Sequence, residues 1–172
     1  MRLVVLLACL AILFGGLVLL GRDTRDSLPD NAQATRIVVE KSAHKMSLFH
    51  DQTVLRVYEV SLGSGGPDAK MREGDRRTPE GRFVIDGRNT KSRFHRALHI
   101  SYPTAAEVAS AKARGDNPGG DVLIHGLRDG FGWIGTFHRT MDWTAGCIAV
   151  TDREMDEIWR VVPNGTPIEI VK

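Results

Sequence analysis

Cysteine is nearly missing from this chain of 172 residues, which has only Cys9 and Cys147. Two cysteines cannot build a disulfide framework or a cysteine-based zinc site, so small disulfide scaffolds and zinc knuckles are excluded. An excess of one charge is missing too. The net charge is +2, from 23 Lys and Arg against 21 Asp and Glu, and every acid and every base except Arg2 lies beyond residue 21. The body of the chain is therefore close to neutral and lacks the basic stripe that neutralises nucleic-acid phosphates, so no nucleic-acid partner is expected. Repeats and low-complexity tracts are absent. Hydrophobic residues make up 42% and charged residues 26%. That mix belongs to a folded domain rather than a disordered chain, and the length suits one domain.

Charge is also absent from residues 3–20, an unbroken run of 18 uncharged residues between Arg2 and Arg22. Such a run is close to the minimum for a spanning helix, which needs about 17 to 20 apolar residues. A cleaved signal peptide is the rival, but no small-x-small site closes the run; the nearest, Ala32-Gln33-Ala34, is far downstream. One N-terminal hydrophobic helix in residues 1–21, serving as a membrane anchor or signal segment, is the expectation. Cys9 then reads as a small apolar residue of that helix. Arginines on both flanks leave its orientation open. Residues 22–35 are polar, include Pro29, and read as a linker to a domain at 36–172.

Beyond the linker the signals are mostly strands. Residues 36–41, 47–50 and 53–61 have strong β-propensity, the last two joined by a turn at Asp51-Gln52. Residues 63–77 hold four glycines and form a long loop, followed by a Thr78-Pro79-Glu80-Gly81 turn into a strand that starts with residues 82–85. Residues 94–100 alternate, with His95, Ala97 and His99 sharing one face. A helix at 105–114 stopped by Gly115, a strand at 122–124, a helix opened by the Thr151/Glu154 capping box, and a strand at 167–171 complete the chain. Residues 126–147 read as loop. Many short strands with two short helices predict a mostly-β sandwich or open barrel.

Cys147 is the first candidate for chemistry, because Gly146 delivers it from a loop to the start of an apolar segment. A thiolate nucleophile needs partial access, a base, and backbone N–H groups for an oxyanion. A buried, inert thiol is the alternative. His125, at the end of a strand and before Gly126, is a candidate base at the sheet rim. His138, within the following loop, is a second candidate but reads more readily as a solvated residue. His95, His99 and His125 could approach one another, but no acidic residue at ligand spacing accompanies them, so neither metal nor other cofactor is expected.

Ile124-His125-Gly126, a glycine-containing loop, then Thr144-Ala145-Gly146-Cys147-Ile148 resembles the signature of the L,D-transpeptidase (YkuD-like) catalytic domain. Thr78-Pro79-Glu80-Gly81-Arg82-Phe83 resembles that family's Thr-Pro-x-Gly-x-Phe turn, and residues 162–167 resemble its closing turn and strand. The similarity spans residues 36–172. It implies a mostly-β catalytic domain in the cell envelope, inner-membrane anchored and facing the periplasm or periplasmic after cleavage, acting on peptidoglycan stem peptides in cell-wall remodelling. It also implies Cys147 as nucleophile, His125 as base and later acid, the Gly126 carbonyl as orienter of the imidazole, and the N–H groups of Gly146 and Cys147 as oxyanion donors. His99, Arg96, Trp133, Trp143, Thr144 and Ala145 are candidate substrate contacts, and Arg77, Arg82 and Arg93 are further candidates for substrate carboxylates, each alternatively a surface charge. Three features depart from the common pattern: Ala145 stands where a histidine is frequent, Ala149 where Arg or Asn is frequent, and the loop from His125 to Cys147 is long and aromatic. Residues 142–150 resemble a branch that includes an amidase releasing a wall-linked lipoprotein. Transpeptidation and hydrolysis both stay open, with a non-catalytic peptidoglycan-binding module as a third reading.

Overall fold

The computed structural model describes residues 25–172, so the apolar run at 3–20 and the helix expected there lie outside the described residues. Among the described residues no helix is long and apolar enough to cross a membrane. The strands are β1 (Arg36–Glu40), β2 (Lys45–His50), β3 (Thr53–Glu59), β4 (Gly81–Asn89), β5 (Ala97–Ile100), β6 (Leu123–His125), β7 (Ile148–Ala149) and β8 (Pro167–Val171). They form one sheet in the order β3-β2-β1-β8-β4-β5-β6-β7. The sheet curls until its ends meet. Ser61, just past β3, exchanges backbone hydrogen bonds of 3.0 and 2.9 Å with Ala149 of β7, and the Thr144 N–H donates to the Leu62 carbonyl at 3.1 Å. The result is a mostly-β, partially closed half-barrel.

Alternation explains the strands. Ile37 and Val39 of β1, Met46 and Leu48 of β2, and Ile168 and Ile170 of β8 are all buried in one core. Fully burying each such side chain is worth about 1.5–3 kcal/mol. Helix α1 (Ala105–Ala113) starts at a Thr104/Glu107 capping box that the sequence reading did not single out. Helix α2 (Asp152–Val161) starts at the Thr151/Glu154 box and buries Met155, Ile158 and Val161. These apolar residues fall three apart, the spacing of one helical face.

Strand β4 changes partner along its length. Its first half pairs with β8 and its second with β5, across a bulge between Ile85 and Gly87. The bulge turns the sheet and lets one strand serve both halves of the barrel. Strand β5 is shorter than the alternation suggested, because His95 takes a left-handed φ of +63° that breaks the extended chain. His95 therefore does not share a strand face with His99; its Nε2 is 2.7 Å from Asp156 Oδ1 on α2. The segment read as loop contains a 3₁₀ stretch at Gly132–Thr140, interrupted at Gly135. Residues 25–35 are bound to α2 rather than loose: the Leu28 N–H donates to Glu157 (2.6 Å), the Ala34 N–H to the Val161 carbonyl (2.8 Å), and Arg160 donates to the carbonyls of Leu28 and Pro29.

Candidate active site

Strands β6 and β7 run parallel, with Ile124 opposite Ile148 and His125 opposite Ala149. Side chains alternate along a strand, so Ile124 and Ile148 enter the core while His125 and Cys147 share the other face. Strand β5 extends the pattern antiparallel, with Ala97 opposite His125 and His99 opposite Leu123. Two rows result: Ala97, His125 and Ala149 in one, and His99, Leu123 and Cys147 in the next. Adjacent strands are about 4.8 Å apart, which makes Cys147 a diagonal neighbour of His125 and sets His99 about 10 Å from Cys147.

A short turn presents the thiol. Thr144 Oγ1 accepts from the Gly146 N–H (3.1 Å) and donates to the Cys147 carbonyl (2.8 Å). Gly146 has φ +124°, and a Cβ there would stand 2.6 Å from the Arg77 carbonyl, so this position admits only glycine. Ala145 is the exposed tip, while Cys147 is partly exposed, with Sγ 3.6 Å from the Asp121 carbonyl. Burial pushes the Cys147 thiol up, opposed by the backbone at Leu123.

His125 is buried, and its Nδ1 lies 2.7 Å from the Gly126 carbonyl. A carbonyl only accepts, so Nδ1 carries the proton and Nε2 keeps its lone pair in the neutral ring. Burial pushes the imidazole below its ordinary value, against the opposing effect of the Gly126 carbonyl. The rings of Phe94 (centroids 4.7 Å apart) and Trp143 (5.7 Å) flank it. Gly126 is packed tightly: a Cβ would meet Asp152 Oδ1 at 2.7 Å and His95 Cβ at 3.0 Å. That same Asp152 oxygen accepts the Leu127 N–H at 2.7 Å, so the first turn of α2 holds the chain just after the imidazole. Burial pushes the Asp152 carboxyl up, and the bond from Leu127 opposes this.

His138 is not the solvated loop residue that its sequence context suggested. It is buried, and the 3₁₀ stretch docks it onto Ser61, whose Oγ lies 3.0 Å from the His138 carbonyl and 3.1 Å from Nδ1. The Trp143 indole N–H also donates to Nδ1 at 3.5 Å. Burial, then the charge of Arg139, pushes the imidazole down to about 4. Trp143 lies between the two histidines, 6.4 Å from His138 and 5.7 Å from His125 between ring centroids.

The remaining candidates divide. His99 faces the site side but is held by Asp86, with Nδ1 2.5 Å from Oδ1. Arg96 turns to α2, ion-paired with Asp156 at 3.4 Å and 5.6 Å from the Trp159 ring centroid. Arg82 is exposed and paired with Glu169, and Arg93 is exposed, so neither is brought to the thiol. Arg77 borders the nucleophile turn, with one nitrogen bonded to the Gly65 carbonyl and another paired with Asp68. Trp133 is exposed on the 3₁₀ stretch. Among the described residues no three His, Cys, Asp or Glu side chains are grouped to hold a metal.

Two openings share residues with the surroundings of this pair. One, of about 530 Å³, is walled by Phe94, Phe131, Ile134, Met141 and Trp143 on the imidazole side. The other, of about 420 Å³, is lined by Gly65, Arg72, Asp75, Arg77 and Arg114, beside the Gly146 turn. The loop bounding the second opening is knit by Asp75. Burial would raise its carboxyl, but N–H donors of Arg72, Met71 and Arg77 and the Lys70 ammonium bring it down to about 2. Sequence reasoning missed Phe94, Asp152 and Lys41. Lys41 is buried and donates to the carbonyls of Asp68 and Thr78 and to Glu80, which locks the Thr78-Pro79-Glu80-Gly81 turn. The capping box was the one signal near Asp152; nothing local marks Lys41 or Phe94.

Known proteins resemble this chain in sequence and in fold. Residues 34–170 match the model of the YkuD family, the L,D-transpeptidase catalytic domain. The protein YafK of Escherichia coli (strain K12), itself provisionally named an L,D-transpeptidase, is 30% identical over 112 residues, covering 63% of this chain and 37% of YafK. The chain thus spans well under half the length of that relative. Among solved structures, the helical cell shape determining protein Pgp2 from Campylobacter jejuni superposes with a TM-score of 0.58 at 19% identity, covering 92% of this chain and 55% of Pgp2. Bd1075 of Bdellovibrio bacteriovorus superposes at 0.55 and 20% identity, covering 88% and 52%. These two likenesses concern the fold.

Proposed function

The chain belongs to the L,D-transpeptidase catalytic-domain family, and from that premise we propose that it is a cysteine acyl-transferring enzyme acting on peptidoglycan stem peptides in cell-wall remodelling. The observation that carries the proposal is the pairing of β6 with β7, which makes Cys147 and His125 neighbours on one face with the His125 Nδ1 proton committed to Gly126. That commitment leaves Nε2 as the base for the thiol. Burial raises the thiol and lowers the imidazole. The resting pair is then neutral thiol and neutral imidazole, and proton transfer accompanies attack instead of preceding it.

In this mechanism Cys147 Sγ attacks the carbonyl of the diaminopimelate-type residue while His125 takes the thiol proton. The Gly146 N–H is engaged by Thr144 Oγ1, so the Cys147 N–H is the oxyanion donor to which most weight falls. The imidazolium then protonates the leaving amine. A second amine resolves the thioester to give a cross-link, or water resolves it to give hydrolysis. Hydrolysis has a specific feature in its favour: Ala145 and the fully buried Ala149, the residues two before and two after Cys147, carry no polar side-chain atom to hold an incoming amine. Aminolysis depends on such positioning, whereas water is plentiful. Release of a wall-linked lipoprotein or trimming of stem peptides would be its product. A merely wall-binding module would have no use for a thiol and an imidazole set on one face of paired strands.

The apolar run at 3–20 supports export and a place in the cell envelope, with the domain tethered to the inner membrane or periplasmic after cleavage. Incubating the protein with a tetrapeptide donor, a lipoprotein-linked muropeptide and an excess of acceptor amine, with products read by mass spectrometry, tests the function. Cross-linked, trimmed or released products that vanish in Cys147→Ala support it, and inert substrates contradict it.

A further inference from the structure

The opening on the imidazole side is markedly apolar. Its walls include Leu127, Phe131, Ile134, Phe137 and Met141, and among the described residues that line it the one charged side chain is Arg128. His138, its other titratable residue, is pushed down to about 4 by burial and is neutral at pH 7. Phe94 and Trp143 line the cavity and are also the two rings that flank His125. These two rings are thus shared between the cavity wall and the surroundings of the buried imidazole, while Cys147 Sγ lies 3.6 Å from the Asp121 carbonyl.

In acyl transfer the group next to the imidazole is the amine that it protonates. We propose that this cavity holds the leaving-group side of the scissile amide and selects a leaving amine whose residue carries a large apolar or aromatic side chain. This rests on the acyl-transfer function above. An ammonium acceptor entering the cavity would shed its water against apolar walls and meet no carboxylate. A neutral amide enters without that cost, and its apolar side chain gains by burial. The Cys147 S–C bond forms as the amide C–N bond breaks, and the proton first taken from the thiol passes from His125 to the leaving nitrogen. The amine departs through the cavity, and water adds to the thioester, returning the thiol and a free carboxylate. The cavity thus gives hydrolysis a preferred substrate: an amide to a polypeptide with a bulky apolar residue at the junction.

Three synthetic stem peptides test this, with the diaminopimelate carboxyl in amide linkage to phenylalanine amide, glycine amide or lysine amide. The protein is predicted to favour phenylalanine over glycine at least 10-fold in kcat/KM. Phe131→Ser combined with Met141→Ser, both at exposed positions that should leave the fold intact, should reduce that ratio below about 3-fold. A ratio near one in the unmodified protein, a preference for lysine, or a ratio untouched by the double substitution overturns the assignment. If no substrate turns over, binding decides. In Cys147→Ala, N-acetyl-phenylalanine methylamide should shift the Trp143 indole N–H resonance saturably, the glycine analogue should not, and the double substitution should abolish the shift. That outcome keeps the cavity's ligand class while the acyl-transfer function fails; absence of the shift overturns the inference.

Discussion

Glu154 and Arg139 form a buried clamp between α2 and the 3₁₀ stretch, with both carboxylate oxygens 2.6 Å from the Arg139 Nη2 and the carboxylate side chain 1% exposed. Arg25 reaches the same carboxylate from the start of the described chain, and Glu154 also caps α2 through Thr151. One side chain thus ties the helix, the aromatic segment beside the imidazole and residue 25 together.

Glu154→Gln should therefore destabilise the fold by about 3 kcal/mol, because removing one partner leaves a poorly hydrated guanidinium behind. Urea denaturation measures this. A loss within about 0.5 kcal/mol would mean that Arg139 and Arg25 find solvent instead of depending on Glu154.

Acid should weaken the fold through His138. Its folded value is about 4 against an ordinary 6.5, so between those values the unfolded chain binds a proton that the folded chain does not. Stability from this group is present above pH 6.5 and lost as pH falls toward 4, about 3 kcal/mol in all. Burial also lowers His125, which acts in the same direction. His138→Gln should flatten the fall in urea midpoint between pH 7 and 4.5, and an unchanged slope would place the acid sensitivity elsewhere.

The two histidines should separate in catalysis. His125→Gln is predicted to cut kcat by 10²–10⁴, the usual contribution of a general base. His138→Gln should keep activity within about 10-fold, since its ring is bonded to Ser61 and Trp143 rather than to the thiol. Equal losses would show that the base is misassigned. EDTA should leave the rate unchanged, because His95 and His99 are held by Asp156 and Asp86 rather than turned to a shared centre.

Much of this arrangement is local in origin and could be read from the chain. β-Propensity marked β1, β2 and β3, and the Thr151/Glu154 box gave the start of α2. A strand ending in His125 and a glycine turn before Cys147 are likewise short-range patterns. The rest depends on partners far away in sequence. His138 is buried by Ser61, 77 residues distant. Residues 25–35 look like a linker because their composition is polar, yet backbone groups bind them to α2, and composition does not report such bonds. Strand β4 exceeds its apolar stretch because two different neighbours pair with its two halves, and the left-handed turn at His95 has no sequence marker.

The pH dependence of thiol reactivity probes the resting state of the pair. With burial raising Cys147 and lowering His125, alkylation by iodoacetamide should keep rising above pH 8.5, without a plateau near neutrality. A plateau by pH 6 would reveal a preformed thiolate–imidazolium pair.

The central claim is a covalent acyl-enzyme on Cys147, and intact-protein mass spectrometry after brief exposure to a tetrapeptide donor or a carbapenem tests it most directly. The protein should gain the mass of one acyl group, mapped by peptide digestion to the segment containing Cys147. Cys147→Ala should gain none while keeping its fold, because the thiol is partly exposed and its loss costs little packing. Turnover retained by Cys147→Ala, or an adduct on any other residue, would contradict the account.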